Sequence, residues 1–217
     1  MTSDLFACFP EARASREEMA EGAVLLRGFV GGSEAELIAA LRAIVAAAPF
    51  RRMFTPGGHQ MSVAMTNCGC AGWVTDRSGY RYDAEDPETG KPWPAMSPLF
   101  RELADRAADR AGFAGFAPDV CLINRYVPGA KMSLHQDKDE LDFAAPIVSV
   151  SLGLPAIFMF GGLKRSDKPR RFRLAHGDVA VWGGPSRLFY HGVAPLAEGD
   201  HPVMGPQRLN LTFRKIR

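Results

Sequence analysis

The sequence predicts a mainly β protein with flanking helices, folded as a double-stranded β-helix (jelly roll) with an N-terminal lid. Three observations predict it. From residue 120 onward, seven short apolar or alternating runs (120–127, 147–152, 156–160, 171–174, 179–182, 188–191 and 208–214) are separated by turn signals. Those signals are Pro128-Gly129, Gly161-Gly162, His176-Gly-Asp178 and Gly183-Gly184, glycine-bearing steps that end strands rather than continue them. Only two stretches carry a helical period, and both precede this region. Between them, residues 50–94 are rich in glycine and aromatics with only fragments of strand pattern. Many short strands after two helices suit two packed sheets with the helices against one of them.

In chain order, residues 1–21 are mixed and poorly periodic and read as an N-terminal arm. Residues 23–30 read as a first strand. Gly31-Gly32 then leads to Ser33, with Glu36 three residues on, the capping-box pattern in which the hydroxyl caps and the carboxylate reaches back. The helix that follows places Leu37, Ile38, Leu41, Ile44 and Val45 on one stripe and stops at Pro49. Residues 50–94 contain a strand-like piece at 61–66 and the exposed-looking aromatics Trp73, Tyr80, Tyr82 and Trp93. They are the candidate lid, since binding groups often sit on loops mounted on a rigid scaffold. Ser97-Pro98 opens a second helix to about Ala111, with proline suited to the first helical position. The expected divisions are the arm at 1–21, helices and lid at 22–115, and the β-helix core at 116–217, within one structural domain.

At 217 residues the chain can bury a sizeable core. A formal net charge of +2 argues neither for nor against a polyanionic partner, so local clusters decide. No stretch approaches the roughly 18 apolar residues of a membrane span, and no signal-peptide pattern opens the chain. Four irregularly spaced cysteines (Cys8, Cys68, Cys70, Cys121) form no disulfide framework, and a reduced, cytoplasmic setting is expected. Cys68-Gly-Cys70 lacks a second pair at zinc spacing.

The chemistry centres on Ser133-Leu-His135-Gln-Asp137-Lys-Asp139. Read as a strand, it puts Ser133, His135, Asp137 and Asp139 on one face. Those residues are either a solvated polar face or a metal site. An imidazole and a carboxylate on one face, joined by a distant histidine, make the facial triad of non-haem Fe(II) oxygenases, and His191 is the candidate third ligand. A second His-x-Asp, His176-Gly-Asp178, competes, but its glycine marks a turn. The last strand alternates without a break: Arg208, Asn210, Thr212 and Arg214 on one face, Leu209, Leu211 and Phe213 on the other. It is either an edge strand with a wet face or an anion clamp, because guanidinium forks match carboxylates in a bidentate way. Asn124 and Tyr126 alternate likewise on an earlier strand. A metal triad beside such a clamp fits 2-oxoglutarate.

Asn124-Arg-Tyr126, His135-Gln-Asp137-Lys-Asp139, His191 and Arg208-Leu-Asn-Leu-Thr-Phe-Arg214 resemble the AlkB family of Fe(II)/2-oxoglutarate-dependent nucleic-acid dioxygenases. Thr55-Pro-Gly-Gly58, the run from Met61 to Asn67, Lys91-Pro-Trp-Pro-Ala-Met96 and the run from Ile147 to Ile157 extend the resemblance, which covers residues 22–214. It implies Fe(II) held by His135, Asp137 and His191, O2 as cosubstrate, and 2-oxoglutarate bound by Asn124, Tyr126, Arg208, Asn210 and Arg214. It further implies a nucleotide-recognition lid. In that lid Trp73 stacks on a flipped base opposite His135, and Tyr80, Arg81 and Tyr82 hold the nucleic-acid backbone. Asp139 and Arg165 then lie near the base. Without the resemblance, Trp73 is an ordinary aromatic.

The implied activity is oxidative dealkylation of 1-methyladenine and 3-methylcytosine in single- or double-stranded DNA, with RNA as a further substrate, by a monomer. A base methylated at these positions is cationic and unpaired, so extruding it costs less than the usual few kcal/mol. The run Lys164-Arg165-Ser-Asp-Lys168-Pro-Arg170-Arg171-Phe-Arg173 concentrates positive charge, either as a phosphate-tracking surface or as a solvated face. The alternatives are a 2-oxoglutarate dioxygenase of proteins or small molecules, and a non-catalytic cupin-like module that binds metal or nucleic acid.

Overall fold

The computed structural model describes residues 15–217. Residues 1–14, with most of the expected arm and Cys8, lie outside the described residues. The arm's end is not irregular: Arg16–Ala20 forms a strand (β1) antiparallel to Ala23–Leu26 (β2), the two joined across Gly22 at φ 73°. The first strand expected at 23–30 therefore stops at Leu26, and a turn carries the chain on.

A 3₁₀ turn at Gly31–Ser33 leads into the helix Glu34–Ala47 (α1). Ser33 stands at the N-cap but makes no side-chain cap bond. The 3₁₀ entry holds it at φ −86°, ψ 7°, whereas a capping hydroxyl needs an extended backbone to reach the next turn. Leu37, Ile38, Leu41 and Ile44 are buried as the stripe requires, and Val45 is half-buried. The second helix, Pro98–Ala111 (α2), begins as read: Ser97 is extended and its hydroxyl accepts from the Phe100 amide.

The remaining strands are Ala64–Gly69 (β3), Gly72–Asp76 (β4), Gly79–Asp83 (β5), Val120–Tyr126 (β6), Met132–His135 (β7), Ile147–Gly153 (β8), Ala156–Phe160 (β9), Arg170–Leu174 (β10), Val179–Trp182 (β11), His191–Val193 (β12) and Arg208–Arg214 (β13). They build a seven-stranded sheet, β1-β2-β11-β8-β13-β6-β3, and a four-stranded sheet, β10-β9-β12-β7, while β4 and β5 pair only with each other. Strands β1 to β3, from the N-terminal part of the chain, thus share a sheet with the strands that follow residue 116.

Alternation sorts the large sheet's side chains into two cores. Val24, Val148, Val150, Val181, Leu211 and Phe213 pack with α1 and α2 on one side. Leu25, Leu122, Tyr126, Ala180 and Trp182 meet Phe158, Phe160, Phe172 and Val193 of the small sheet on the other. Two packed sheets with helices covering one of them is the predicted jelly-roll architecture. Among the described residues, no helix is long and apolar enough to cross a membrane.

Three expectations need correction. The strand expected at 188–191 begins only at His191. Gly184–Ser186 winds a 3₁₀ turn instead, with Arg187 N–H on Gly184 O and Phe189 N–H on Ser186 O. The strand expected through Asp139 ends at His135, because its partner β12 begins at the paired residue His191 and offers no ladder beyond it. Trp93 is not exposed: it is 6% accessible, donates Nε1–H to Asp83 O, and lies against Gly72, where a Cβ would come within 2.4 Å of its ring.

Candidate active site

Strands β7 and β12 set the first two groups of the site. His135 and His191 are register partners, so both imidazoles leave the same face of the small sheet, with ring centroids 4.4 Å apart. The two strands lie close because Gly192 follows His191: a Cβ there would sit 2.6 Å from the Met132 carbonyl oxygen. Asp137 is carried in by the segment that leaves β7, not by the strand itself. Its Oδ1 lies 3.7 Å from His135 Nε2 and its Oδ2 3.6 Å from His191 Nε2.

Each histidine turns Nδ1 to a carbonyl, Ser133 O at 2.9 Å and Phe189 O at 3.0 Å. That bond holds the proton on Nδ1 and leaves the Nε2 lone pair facing Asp137, as a metal ligand requires. Burial and the neighbouring His191 hold the His135 pKa down to about 4, so the ring is neutral at pH 7. Burial pushes Asp137 up, but the Arg214 guanidinium at 2.8 Å together with His191 and His135 more than offsets it and keeps the carboxyl well below the usual range. Two imidazoles and a carboxylate, with ligand atoms all within 4.8 Å of one another, form the only such three-residue group among the described residues. Asp137 and His191 are buried, while the His135 side chain is 38% exposed and opens the group to the outside.

The cavity beside the triad is walled by the large sheet. Asn210 pairs with Asn124 across β13–β6 and with Ser151 across β13–β8. Strand β13 is therefore no wet edge: every residue of it is buried between two neighbours. Asn124, Tyr126, Asn210 and Arg214 border the cavity, with Ser149, Thr212 and Trp182. Asn210 donates to Ser149 Oγ and Val150 O and accepts from Thr212, so its amide is already held by the sheet. Arg208 lies behind them, 1% exposed, its guanidinium 5.1 Å from the Tyr126 ring centroid.

Of the Arg208 donors, Nη2 reaches Ser151 Oγ, whereas Nε and Nη1 have no partner; nor has Asn124 Oδ1. Burying a guanidinium with unmet donors is costly, and a carboxylate answers such a fork bidentately. The residues thus fit both groups: a divalent iron for the triad and a carboxylate-bearing cosubstrate for the clamp.

A wider cleft of about 540 Å³ lies outside, lined by Trp73, Tyr80, Met61, Ser133, Asp139, Arg165 and Tyr190 among others. Trp73 and Tyr80 stack at 5.6 Å, and Trp73 Nε1–H donates to Asp139 Oδ2 at 2.8 Å. Arg165 sits 5.9 Å from the Tyr190 ring centroid. The hairpin residues diverge from their expected common task. Tyr80 is half exposed, Arg81 is paired with Asp76 and Asp83 within the hairpin, and the Tyr82 hydroxyl points inward to Glu140 and Arg214.

Three residues of the site carried no separate sequence signal. Trp182 and Phe158 pack on His191, at 4.9 and 5.9 Å between centroids. Arg187, 3% exposed, donates to Asp137 O and Glu140. The competing His176-Gly-Asp178 makes no metal pair: Gly177 turns at φ 81°, His176 stacks on His201, and Asp178 takes Arg27 and the Gly28 and Ala175 amides.

Residues 22–214 match the model of the 2OG-Fe(II) oxygenase superfamily. The chain is 59% identical over 212 residues to the alpha-ketoglutarate-dependent dioxygenase AlkB of Escherichia coli K12, spanning 98% of this chain and 97% of that one. It is 30% identical over 188 residues to the DNA N(6)-methyladenine demethylase ALKBH1C of Arabidopsis thaliana, covering 75% of this chain and 41% of that protein. The solved structure of OsALKBH1 superposes with a TM-score of 0.80 at 28% identity, over 93% of this chain and all of the other. With a two-histidine, one-carboxylate group beside a buried guanidinium with unmet donors, the chain belongs to the AlkB family of Fe(II)- and 2-oxoglutarate-dependent dioxygenases.

Proposed function

We propose that this chain repairs alkylated bases, 1-methyladenine and 3-methylcytosine, in DNA and also in RNA, acting as a monomer on single or double strands. The observation that carries the reading is the junction of the triad with an outer aromatic cleft: His135 and Asp137 line both the inner cavity and the cleft that holds Trp73. An atom of a molecule seated in the cleft is thereby brought to the ligand group. His135, Asp137 and His191 would hold Fe(II), and Arg208, Asn124, Tyr126, Asn210 and Arg214 would hold 2-oxoglutarate. When bound, these groups and O2 supply the oxidation of the N-alkyl carbon, which leaves as formaldehyde while the keto acid leaves as succinate and CO2.

The chain's own residues do the rest. Trp73, backed by Tyr80, offers a flat apolar face, and stacking on it offsets base extrusion by roughly 1–3 kcal/mol. Asp139 at the rim favours a cationic alkylated base over its neutral parent by opposite-charge attraction. Phe158 and Trp182 keep the inner wall dry and fix the His191 ring. Arg165, with Lys164 and Lys168 nearby in sequence, supplies positive charge for phosphates. The domain reading follows: a β-helix core presenting the metal group, and a lid in the N-terminal part presenting the base contacts.

The test is turnover of an oligonucleotide bearing one 1-methyladenine or 3-methylcytosine with Fe(II), 2-oxoglutarate and O2. The expected result is loss of the methyl mass with one formaldehyde per succinate, abolished in His135→Ala. An unchanged adduct, with metal loading verified, would refute repair. Succinate formation that methylated DNA does not accelerate would point to a different substrate.

A further inference from the structure

The short segment after β7 carries three acidic residues with three different partners. Asp137 faces the imidazoles and Arg214. Asp139 takes the Trp73 indole N–H. Glu140, 4% exposed, accepts from the Tyr82 hydroxyl at 2.5 Å and from Arg187 Nη2 at 3.1 Å, and lies 3.5 Å from Arg214 Nε. Arg187 also donates to Asp137 O and Ala145 O, so one guanidinium grips the segment at several points.

The other end of the connection is the β4–β5 hairpin. It shares no ladder with either sheet. Its inner edge is seated by Val74, buried in the second core, by Thr75 on Phe54 O and by Trp93 on Asp83 O, and its face over the cleft by the Asn67 amide on the Trp73 backbone, Trp73 on Asp139, and Tyr82 on Glu140. The Tyr82 hydroxyl accepts from Arg214 Nη1 at 3.1 Å as it donates to Glu140. One hydroxyl on the hairpin thus touches both the buried carboxylate and the guanidinium that faces Asp137.

We infer that Glu140 is a positioning residue that couples the two binding events: by holding Tyr82 and Arg214 together, it ties the seating of the hairpin on nucleic acid to the setting of the keto-acid clamp. The inference rests on the reading given under Proposed function. With the hairpin seated, Arg214 is braced by Tyr82 and Glu140 and keeps its fork beside Asp137. With the hairpin lifted, Arg214 loses the hydroxyl and Glu140 loses a donor, and the guanidinium is free to reorient. Coupling of this kind is reciprocal, so a nucleic acid that seats the hairpin tightens keto-acid binding by the factor with which the keto acid tightens the nucleic acid.

The test measures binding without turnover. 2-Oxoglutarate is titrated calorimetrically into the Mn(II)-loaded protein without O2, with and without saturating oligonucleotide bearing 1-methyladenine. The parent chain is expected to bind the keto acid several-fold tighter with the oligonucleotide present. In Tyr82→Phe, which deletes one hydroxyl and keeps the ring, and in Glu140→Gln, the ratio falls to about one. In aerobic turnover the same variants release less formaldehyde per succinate. Glu140→Gln leaves Arg187 facing a neutral amide and can fail to fold, so Tyr82→Phe is the deciding variant. A Tyr82→Phe ratio equal to the parent's overturns the inference. So does a parent ratio of one in protein that still demethylates the oligonucleotide, an outcome distinct from failure of the repair reading, in which no demethylation occurs at all.

Discussion

The wall formed by β6 and β13 and the hairpin formed by β4 and β5 place functional side chains in opposite ways. Strand β13 is buried at every position and paired on both edges from Arg208 to Phe213, so Arg208 is held by a backbone that cannot shift without breaking two ladders and Arg214 by the β6 ladder. The hairpin is laddered only to itself and is seated by one buried edge, Val74 and Thr75, and by side-chain hydrogen bonds. The contrast matches the tasks proposed for them. A small cosubstrate of fixed shape wants a preorganised clamp, whereas a flipped base on a long polymer wants a surface that can settle around it.

The largest test of this comparison is Arg208→Ala. It removes the fork with unmet donors from the rigid wall, and charge-assisted hydrogen bonds of about 1.5–3 kcal/mol translate into a roughly 10- to 100-fold loss of 2-oxoglutarate affinity. Calorimetric titration of the metal-loaded variant checks it; parent-like affinity would move the clamp away from Arg208. Trp73→Ala acts on the adaptable side and should cost about tenfold in oligonucleotide turnover from lost stacking, while oligonucleotide-independent 2-oxoglutarate decay stays near the parent rate. Equal losses in the two assays would make Trp73 structural.

The smallest effect concerns pH. Asp86, just beyond the hairpin, is pushed up by burial, but the Arg51 hydrogen bond and the Glu88 amide bring it below the ordinary carboxylate value of 3.8. A depressed folded pKa contributes stability that is full above the unfolded value and lost as pH falls through the folded one. Hydrogen-exchange protection of residues 84–92, corrected for the intrinsic exchange rate, should therefore fall below about pH 4, and in Arg51→Ala that acid-side fall should shrink. Exchange in β13 should not follow.

Three strands of the two sheets were legible because turn signals bound them and, in β13, because the alternation is complete. Residues 208–214, 179–182 and 156–160 became β13, β11 and β9 with the bounds read from the sequence. What escaped depends on neighbours a single strand does not show. Asp137 reaches the site from a segment outside the ladder, because β12 is only three residues long. Ser33 has the right residue type for a cap, but a 3₁₀ entry gives it the wrong backbone. Tyr82 alternates correctly with Tyr80, yet the Tyr80 ring stacks on Trp73 at the cleft while the Tyr82 hydroxyl meets a buried carboxylate. That difference is set by depth along the hairpin rather than by face. Arg187 and Glu140 were invisible as a pair because 46 intervening residues separate them in the chain.

Gly192 has a consequence for anyone wishing to retune the metal group. Since any side chain there would collide with the Met132 carbonyl, the gap between the two imidazoles is a property of adjacent main chains and leaves substitution no room to adjust it. Variation in iron affinity enters instead through the carbonyls of Ser133 and Phe189 that aim the rings and through the Arg214 guanidinium on Asp137, which makes the segments bearing them the place where selection or design has purchase.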